Sequence, residues 1–218
     1  MSELPSEEDF GRPAEVGEFV LAEATPGDPQ HVLDTLDRYA QEHRFLMNVG
    51  PVKGRILVDV VARLGPDSRV LELGSYCGYS AVLVAMHLAP GGSLVSVDID
   101  PDAVAAATAV VAHAGMADRV RVIQGSAREV IPTLEGPLDL VFMDHDKDLY
   151  RGDVIELEQR GLLREGSIIV ADNVGPLFHA DAYLDYVRTC GKYDSTHHPS
   201  TVEYTDLPDA AEISVFRG

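Results

Sequence analysis

The chain has 218 residues, of which 45% are hydrophobic and 24% charged, which is typical of one soluble globular domain and excludes collagen-like and disordered classes. Its formal net charge of −19 opposes binding to a phosphate backbone, so nucleic acid is not an expected partner. The longest apolar runs, 81–89 and 103–112, are shorter than the roughly 20 residues of a membrane span, and the acidic N-terminus lacks secretory-signal features, so we expect a cytoplasmic protein without a membrane segment.

The first part of the chain is predicted to be a mobile tail followed by one domain. Residues 1–17 carry charges, proline and glycine with little apolar periodicity, and residues 18–218 form the expected domain. A helix is predicted to start after Asp28, which can cap it with Pro29 at the first helical position. A second amphipathic helix is predicted to end at Gly65. Its apolar face consists of Ile56, Leu57, Val60, Val61 and Leu64.

Short strand-like runs then alternate with helical stretches. Five runs are rich in β-branched residues and bounded by turn residues, as buried strands are: 69–74, 93–100, 119–125, 138–144 and 166–173. The predicted helices are 80–88, 102–114, 153–163 and about 180–189, with two more strands at about 200–205 and 212–217. This alternation predicts an α/β, Rossmann-like fold with a mostly parallel seven-stranded sheet and helices on both faces.

Polar residues follow the carboxyl ends of several predicted strands. In a doubly wound sheet, ligands bind at this edge, where the strand order reverses. The residues at these ends are Glu72, Gly74, Asp98, Asp144, Asp172 and Asn173. We therefore expect the functional site at this edge of the sheet.

The turn after the first predicted strand reads ELGSYCGYS and indicates a nucleotide site without a phosphate loop. Gly74 and Gly78 allow a tight turn and the close approach of a ligand. Their GxxxG spacing differs from the GxGxxG of dinucleotide folds, and the acidic Glu72 suits a cation better than a pyrophosphate. These features favour S-adenosylmethionine (SAM), whose sulfonium and ammonium groups are positive.

Asp98 ends the second predicted strand, where a carboxylate can accept both hydrogen bonds of a ribose diol. This feature fits NAD as well as SAM. Alternatively, Asp98 and Asp100 only end the strand and cap the helix that begins near Pro101. We assign the ribose role to Asp98 and the cap to Asp100.

Five motifs together resemble those of catechol O-methyltransferases: MNVGPVKG, ELGSYCGYS, VDIDPD, MDHDKDLY and ADNV. The similarity runs from about residue 27 to the C-terminus and includes the segment GDPQHVLDTLDRYAQEH. The resemblance implies a class I methyltransferase fold, SAM as methyl donor, Mg²⁺ as cofactor and a small catechol-type molecule as acceptor.

Asp144, Asp172 and Asn173 are the predicted metal ligands. Oxygen ligands suit Mg²⁺, whose octahedral sphere would keep positions for both hydroxyls of a catechol and a water. Asp and Asn are also common as caps and turn residues after strands. Because a strand ending in Asp lies beside one ending in Asp-Asn, we favour the metal site.

Two residues receive catalytic roles from the resemblance. Lys147 matches the lysine that takes the proton of the reacting hydroxyl, although by position alone it is an ordinary solvated lysine after a strand. Mg²⁺ and partial burial would have to favour its neutral form. Glu203, in STVEYT, matches the acidic residue that holds the second hydroxyl, and in the predicted edge strand it would otherwise be solvated.

The resemblance also implies contacts with both substrates. The predicted donor contacts are Val49, Glu72, Gly74, Tyr76, Ser80, Asp98, Ala127 and His145. The predicted acceptor contacts are Met47, Asp144, Lys147, Asn173 and Glu203. Tyr76 and Met47 also suit plain core positions, and His145 suits a strand-end histidine satisfied by the backbone.

The chain departs from the family around the acceptor. It contains no tryptophan, whereas the mammalian type has one at the positions of Phe45 and Asp146. A carboxylate at Asp146 disfavours an apolar ring face and favours a polar or cationic substituent such as an amine. Val202 is smaller than its usual counterpart and widens the site, and Ala127-Arg128 replaces a Ser-Gln pair near the adenine.

The leading hypothesis is Mg²⁺-dependent methylation of one hydroxyl of a catechol-type acceptor. The alternatives are methylation of another vicinal diol or of a caffeoyl-CoA-like ester, an NAD-dependent dehydrogenase, and a SAM-binding module without catalysis. The lack of a basic patch counts against the CoA ester, and the missing GxGxxG against the dehydrogenase. The sequence leaves open the natural acceptor, the methylated position and the oligomeric state.

Overall fold

A seven-stranded sheet forms the centre of the molecule. The computed structural model describes residues 4–218, apart from the side chain of Glu7. The strands are β1 (Arg69–Leu73), β2 (Ser93–Asp98), β3 (Val120–Gln124), β4 (Leu138–Met143), β5 (Leu163–Ala171), β6 (Tyr193–Thr201) and β7 (Pro208–Phe216). Their order is β3-β2-β1-β4-β5-β7-β6, with β7 antiparallel to both neighbours and the other pairs parallel. The predicted seven-stranded, mostly parallel Rossmann-like sheet is confirmed.

Helices cover both faces of this sheet. They are α1 (Pro13–Glu23), α2 (Pro29–Glu42), α3 (Gly50–Val61), α4 (Tyr79–His87), α5 (Pro101–His113), α6 (Ala127–Val130), α7 (Tyr150–Gln159) and α8 (Asp181–Thr189), with short 3-10 turns at Glu7–Asp9 and Ile131–Thr133. Alternate strand residues point to opposite faces. Leu140 and Phe142 therefore pack with α1 to α5, whereas Val141 and Met143 pack with α6 to α8.

The predicted helix caps are present. The Asp28 carboxylate accepts a hydrogen bond from the backbone N–H of His31 at the start of α2. Asp100 does the same for Asp102 at the start of α5, so its assignment as a cap is confirmed. Each cap satisfies a backbone N–H group that the first helical turn leaves without a partner.

The predicted mobile tail is wrong from Pro13 onward. Helix α1 begins there, and Val16 and Val20 on it are fully buried. Gly17 brings the helix close to Ala106 of α5. The apolar face of α1 comprises only a few residues, so its periodicity was too short to separate from the charged sequence around it. Residues 1–3 of the predicted tail lie outside the described residues.

The sixth strand begins earlier than predicted. It spans Tyr193–Thr201 rather than 200–205, because its polar sequence, with Pro199, lacks the β-branched pattern of the central strands. An edge strand tolerates such a sequence. Glu203 consequently lies in the turn between β6 and β7 instead of in a strand, and it is buried rather than solvated.

Within residues 4–218, no helix combines the length and apolar character that crossing a bilayer requires.

Candidate active site

The ends of β4 and β5 bring the predicted metal ligands together. Met143 pairs with Ala171 in the parallel ladder, so Asp144 and Asp172 leave adjacent strand ends. The backbone N–H of Asp172 donates to the Met143 carbonyl at 2.9 Å. The buried hydroxyl of Tyr150 is 2.8 Å from that carbonyl and 3.1 Å from the carbonyl of Asp172. These contacts hold the two strand ends at a fixed separation.

Two side chains at this edge of the sheet carry oxygen atoms that could bind a metal. Asp172 is 1% exposed, and its Oδ2 has no partner among the described residues. Burial raises the pKa of Asp172 to about 6, opposed by Lys53 and reinforced by Asp144 and Asp209. Asn173, at φ +50, donates a hydrogen bond from its amide nitrogen to Asp209 Oδ2 at 2.9 Å, so its amide oxygen faces away from that carboxylate. The described residues include no cluster of three His, Cys, Asp or Glu side chains suited to a metal, so a site with three side-chain ligands here would need the amide of Asn173.

Lys147 lies directly beside one of these carboxylates. Its Nζ is 3.3 Å from Asp144 Oδ1 and 5.2 Å from the centre of the Tyr150 ring. Both side chains of the ion pair are only partly exposed. The structure therefore places the Lys147 nitrogen next to Asp144, one of the three predicted metal ligands.

Glu203 is held at the N-terminus of α3. Its Oε1 accepts a hydrogen bond from the backbone N–H of Lys53 at 2.9 Å, and burial raises its pKa to about 7. Gly50, at φ +55, makes room for it, because a Cβ there would lie 2.5 Å from Glu203 Cγ. A fold with any other residue at position 50 would have to move Glu203.

Aromatic residues stand beside Glu203. Tyr204 adopts the left-handed region at φ +61, and its hydroxyl donates to Asp37 at 2.7 Å. Its ring meets that of Phe45 edge to face, with centroids 6.5 Å apart. Phe45 in turn packs against Phe10, which precedes α1. Phe45 is therefore the buried member of an aromatic cluster, at the position where the mammalian type of the family has tryptophan.

A cleft of about 280 Å³ opens beside the same strand ends. Five predicted donor contacts line it: Gly74, Tyr76, Asp98, Ala127 and His145. The other three, Val49, Glu72 and Ser80, are buried and do not line it. Met47 is half-buried in the segment before α3.

Asp98 organises the loop at the mouth of this cleft. Its Oδ2 accepts hydrogen bonds from the backbone N–H groups of Ser75 and Tyr76, both at 2.9 Å. Tyr76 has a φ of +44, a conformation that costs of order 1–3 kcal/mol and is common at functional sites. Gly74, at φ +103, lets β1 pass the Asp144 carbonyl, which would lie 2.3 Å from a Cβ. The close approach that we predicted for a ligand at Gly74 is, in the structure, an approach of the Asp144 backbone.

The residues after β4 complete the cleft. His145 Nε2 lies 2.7 Å from Asp153 Oδ2, and its ring packs on that of Tyr150. His145 is therefore paired with a side chain, whereas the alternative prediction had it paired with the backbone. Asp146 is exposed, lines the cleft, and accepts a hydrogen bond from the backbone N–H of Asp148.

Sequence reasoning missed several residues of the site. Ile99 and Leu149 line the cleft with 71% and 48% exposure, and together they form an exposed apolar patch of the kind found at ligand-binding grooves. Lys53 is buried between Asp172 and Asp209. Its position one turn before Leu57 on the apolar face of α3 was an available signal for a buried lysine. Burial lowers the pKa of Lys53, but its two carboxylate partners outweigh this effect and raise it overall.

Comparison with known proteins identifies the family of this chain. The sequence profile of the family described as O-methyltransferase matches residues 23–182. The chain belongs to the O-methyltransferase family. This O-methyltransferase is 43% identical over 204 residues to the catechol O-methyltransferase of Mus musculus, covering 91% of the chain and 76% of that relative. It is 42% identical to catechol O-methyltransferase B of Danio rerio, covering 95% and 80%.

A solved structure confirms the fold of this O-methyltransferase. The O-methyltransferase from Bacillus cereus in complex with SAH superposes with a TM-score of 0.73 at 20% identity, covering 93% of this chain and 97% of that one. The predicted resemblance to catechol O-methyltransferases and the predicted class of enzyme are both confirmed.

Proposed function

We propose that this O-methyltransferase transfers the methyl group of SAM to one hydroxyl of a catechol-type acceptor, with Mg²⁺ held by Asp144, Asp172 and Asn173. One observation carries the proposal: Asp144 belongs to both halves of the site. It lines the donor cleft, and it leaves β4 beside Asp172 with Lys147 on its carboxylate. A donor in the cleft and an acceptor at the ligands would therefore meet at the same side chain.

The chemistry of the cleft supports SAM as the donor. Ile99, Leu149 and Ala127 offer apolar surface for a flat base, and Asp98 stands beside them for the ribose. SAM supplies an electrophilic methyl carbon on a sulfonium sulfur and leaves as S-adenosylhomocysteine (SAH). The cleft residues would hold the donor so that its methyl group faces the acceptor oxygen, since proximity and alignment carry much of the rate of such a transfer.

The ligand residues fit Mg²⁺ by their chemistry. In the part of the chain that the structure describes, the buried Asp172 Oδ2 has no hydrogen-bond partner. The Asn173 amide uses its nitrogen to bond Asp209, which turns its oxygen away from that carboxylate, and Asp144 adds a second carboxylate. Oxygen-only ligand sets suit this hard cation. Mg²⁺ held there supplies positive charge that makes a nearby phenolic hydroxyl more acidic.

Lys147 and Glu203 act on the two hydroxyls of the acceptor. The Lys147 nitrogen takes the proton of the hydroxyl that is methylated and later releases it to water. The Glu203 carboxylate accepts a hydrogen bond from the second hydroxyl, which keeps the ring in one orientation. The exposed Asp146 would pair with a cationic substituent on the acceptor.

The proposal is tested by comparing catechol with phenol as acceptors. Purified protein is incubated with methyl-labelled SAM, MgCl₂ and either acceptor, and labelled product is counted. Catechol should be methylated once, and phenol, which cannot chelate, should give at least about 100-fold less product. Equal turnover of both acceptors would show that the acceptor is not recognised as a vicinal diol.

The role of Lys147 is tested by Lys147→Ala. Loss of the general base should lower kcat by 10²- to 10⁴-fold, while the affinity for SAH, measured by calorimetry, stays within about two-fold. Lys192→Ala is the matched control, since Lys192 pairs with Glu158 away from the site. Full turnover by the Lys147 variant would show that the base assignment is wrong.

A further inference from the structure

A buried ion pair lies directly behind the predicted metal ligands. Lys53 on α3 and Asp209 on β7 are 2% and 4% exposed, and neither lines the donor cleft. Lys53 Nζ is 2.6 Å from Asp209 Oδ2 and 2.7 Å from Asp172 Oδ1. Removing such charges from water costs several kcal/mol, so a buried pair of this kind is weak evidence for a purely stabilising role.

Lys53 approaches the Asp172 carboxylate at Oδ1. Its ammonium forms an ion pair with Oδ1, and within residues 4–218 neither carboxylate oxygen of Asp172 accepts a hydrogen bond. Because the ammonium fixes Oδ1, the carboxylate cannot rotate without breaking a 2.7 Å ion pair. Oδ2, the oxygen that is not paired with the ammonium in this contact, is the one we assign to a cation.

Asp209 determines the orientation of the neighbouring Asn173. Asp209 Oδ2 accepts a hydrogen bond from Asn173 Nδ2 at 2.9 Å, and Asp209 Oδ1 accepts one from the backbone N–H of Gly175 at 3.1 Å. A carboxylate accepts and never donates, so only the NH₂ end of the amide can face it. The amide oxygen, which is the end that binds a metal, must face the other way.

Lys53 also contacts the acceptor side of the site. Its backbone N–H donates to Glu203 Oε1 at 2.9 Å. A single residue at the start of α3 therefore touches one predicted metal ligand, the residue that orients another, and the glutamate assigned to the second hydroxyl.

We propose that Lys53 and Asp209 are positioning residues that hold Asp172 and Asn173 with their free oxygens toward the metal. This inference rests on the proposed function, since it assumes that these side chains bind Mg²⁺. The pair acts through the ligands and touches neither donor nor acceptor with its side chains.

The test measures Mg²⁺ affinity rather than turnover. Metal-free wild type, Lys53→Met and Asp209→Asn are titrated with MgCl₂ by calorimetry, and each is titrated separately with SAH. Both variants should bind Mg²⁺ about 10- to 100-fold more weakly, as expected when partners behind metal ligands are lost, with SAH affinity within about two-fold of wild type. Asp209→Asn is nearly isosteric, so it provides a folded variant if Lys53→Met does not fold.

Arg188→Met is the matched control. Arg188 pairs with the buried Glu212, which lies on β7 as Asp209 does, but neither contacts a predicted ligand. This variant should keep wild-type Mg²⁺ affinity. If wild type binds Mg²⁺ and the Lys53 and Asp209 variants bind it equally well, or if the control loses as much affinity, the positioning role is overturned. If wild type binds no Mg²⁺, the metal half of the proposed function fails, and this inference fails with it.

Discussion

Burial raises the pKa of individual carboxylates in and behind this site. Glu72 is 0% exposed, its Oε2 accepts a hydrogen bond from Ser96, and burial raises its pKa to about 7. The identity of such residues is readable from the sequence, since ELG and ADN stand at strand ends. The surroundings of these residues cannot be read from the sequence. The contact between Glu72 and Ser96 joins residues 24 positions apart, and it depends on how β1 and β2 pair.

Glu72→Gln should change how stability depends on pH. The folded-state pKa of Glu72 is about 7, against 4.5 for an ordinary glutamate, so the native state binds more protons than the unfolded chain between these values. Wild-type stability therefore falls as pH rises from 4.5 to 7. The neutral amide removes this loss. Urea unfolding without ligands should show the variant gaining up to about 3 kcal/mol relative to wild type across that range.

Glu129→Gln is the control for this measurement. Glu129 belongs to an exposed capping box, and its hydrogen bonds with Ser126 lower its pKa. Its contribution is therefore lost only as pH falls below 4.5. A difference between wild type and Glu72→Gln that stays constant from pH 4.5 to 7 would contradict a raised pKa at Glu72.

Among the secondary-structure elements, the central strands could be predicted from the sequence, whereas the first helix and the edge strand β6 could not. β1, β2, β3 and β4 are short apolar runs with clear boundaries, and the ligands predicted from strand ends follow β4 and β5. Helix α1 was not predicted, and strand β6 was predicted too late in the chain. Tertiary packing, rather than a local sequence pattern, stabilises both elements. The error at β6 also hid the turn that carries Glu203, and hence its contact with the start of α3.

Gly50→Ala tests the junction between α3 and this turn. The new Cβ would lie 2.5 Å from Glu203 Cγ at a φ of +55, so Glu203 must move and the backbone is strained. We expect a loss of about 1–3 kcal/mol of stability in urea unfolding and an increase of several-fold in the KM for catechol. Gly161→Ala shares the positive φ of +65 but has no atom within 4 Å of its Cβ. Equal effects of both substitutions on KM would contradict the proposed contact.

For the whole molecule, sheet topology explains why residues distant in sequence form one site. The order β3-β2-β1-β4-β5-β7-β6 places the ends of β1, β2, β4 and β5 side by side, with α3 and β7 behind them. Alternating strands and helices predict this arrangement, because parallel strands need crossovers of one hand. The contacts of Lys53 and Asp209 lie beyond such reasoning, since they join residues 156 positions apart.

Metal dependence of methyl transfer tests the central claim most directly. Labelled product from SAM and catechol is measured with protein treated with EDTA and then supplied with MgCl₂. If Asp144, Asp172 and Asn173 hold a required Mg²⁺, EDTA should abolish product formation and excess MgCl₂ should restore it. Turnover that continues unchanged in EDTA would contradict the claim.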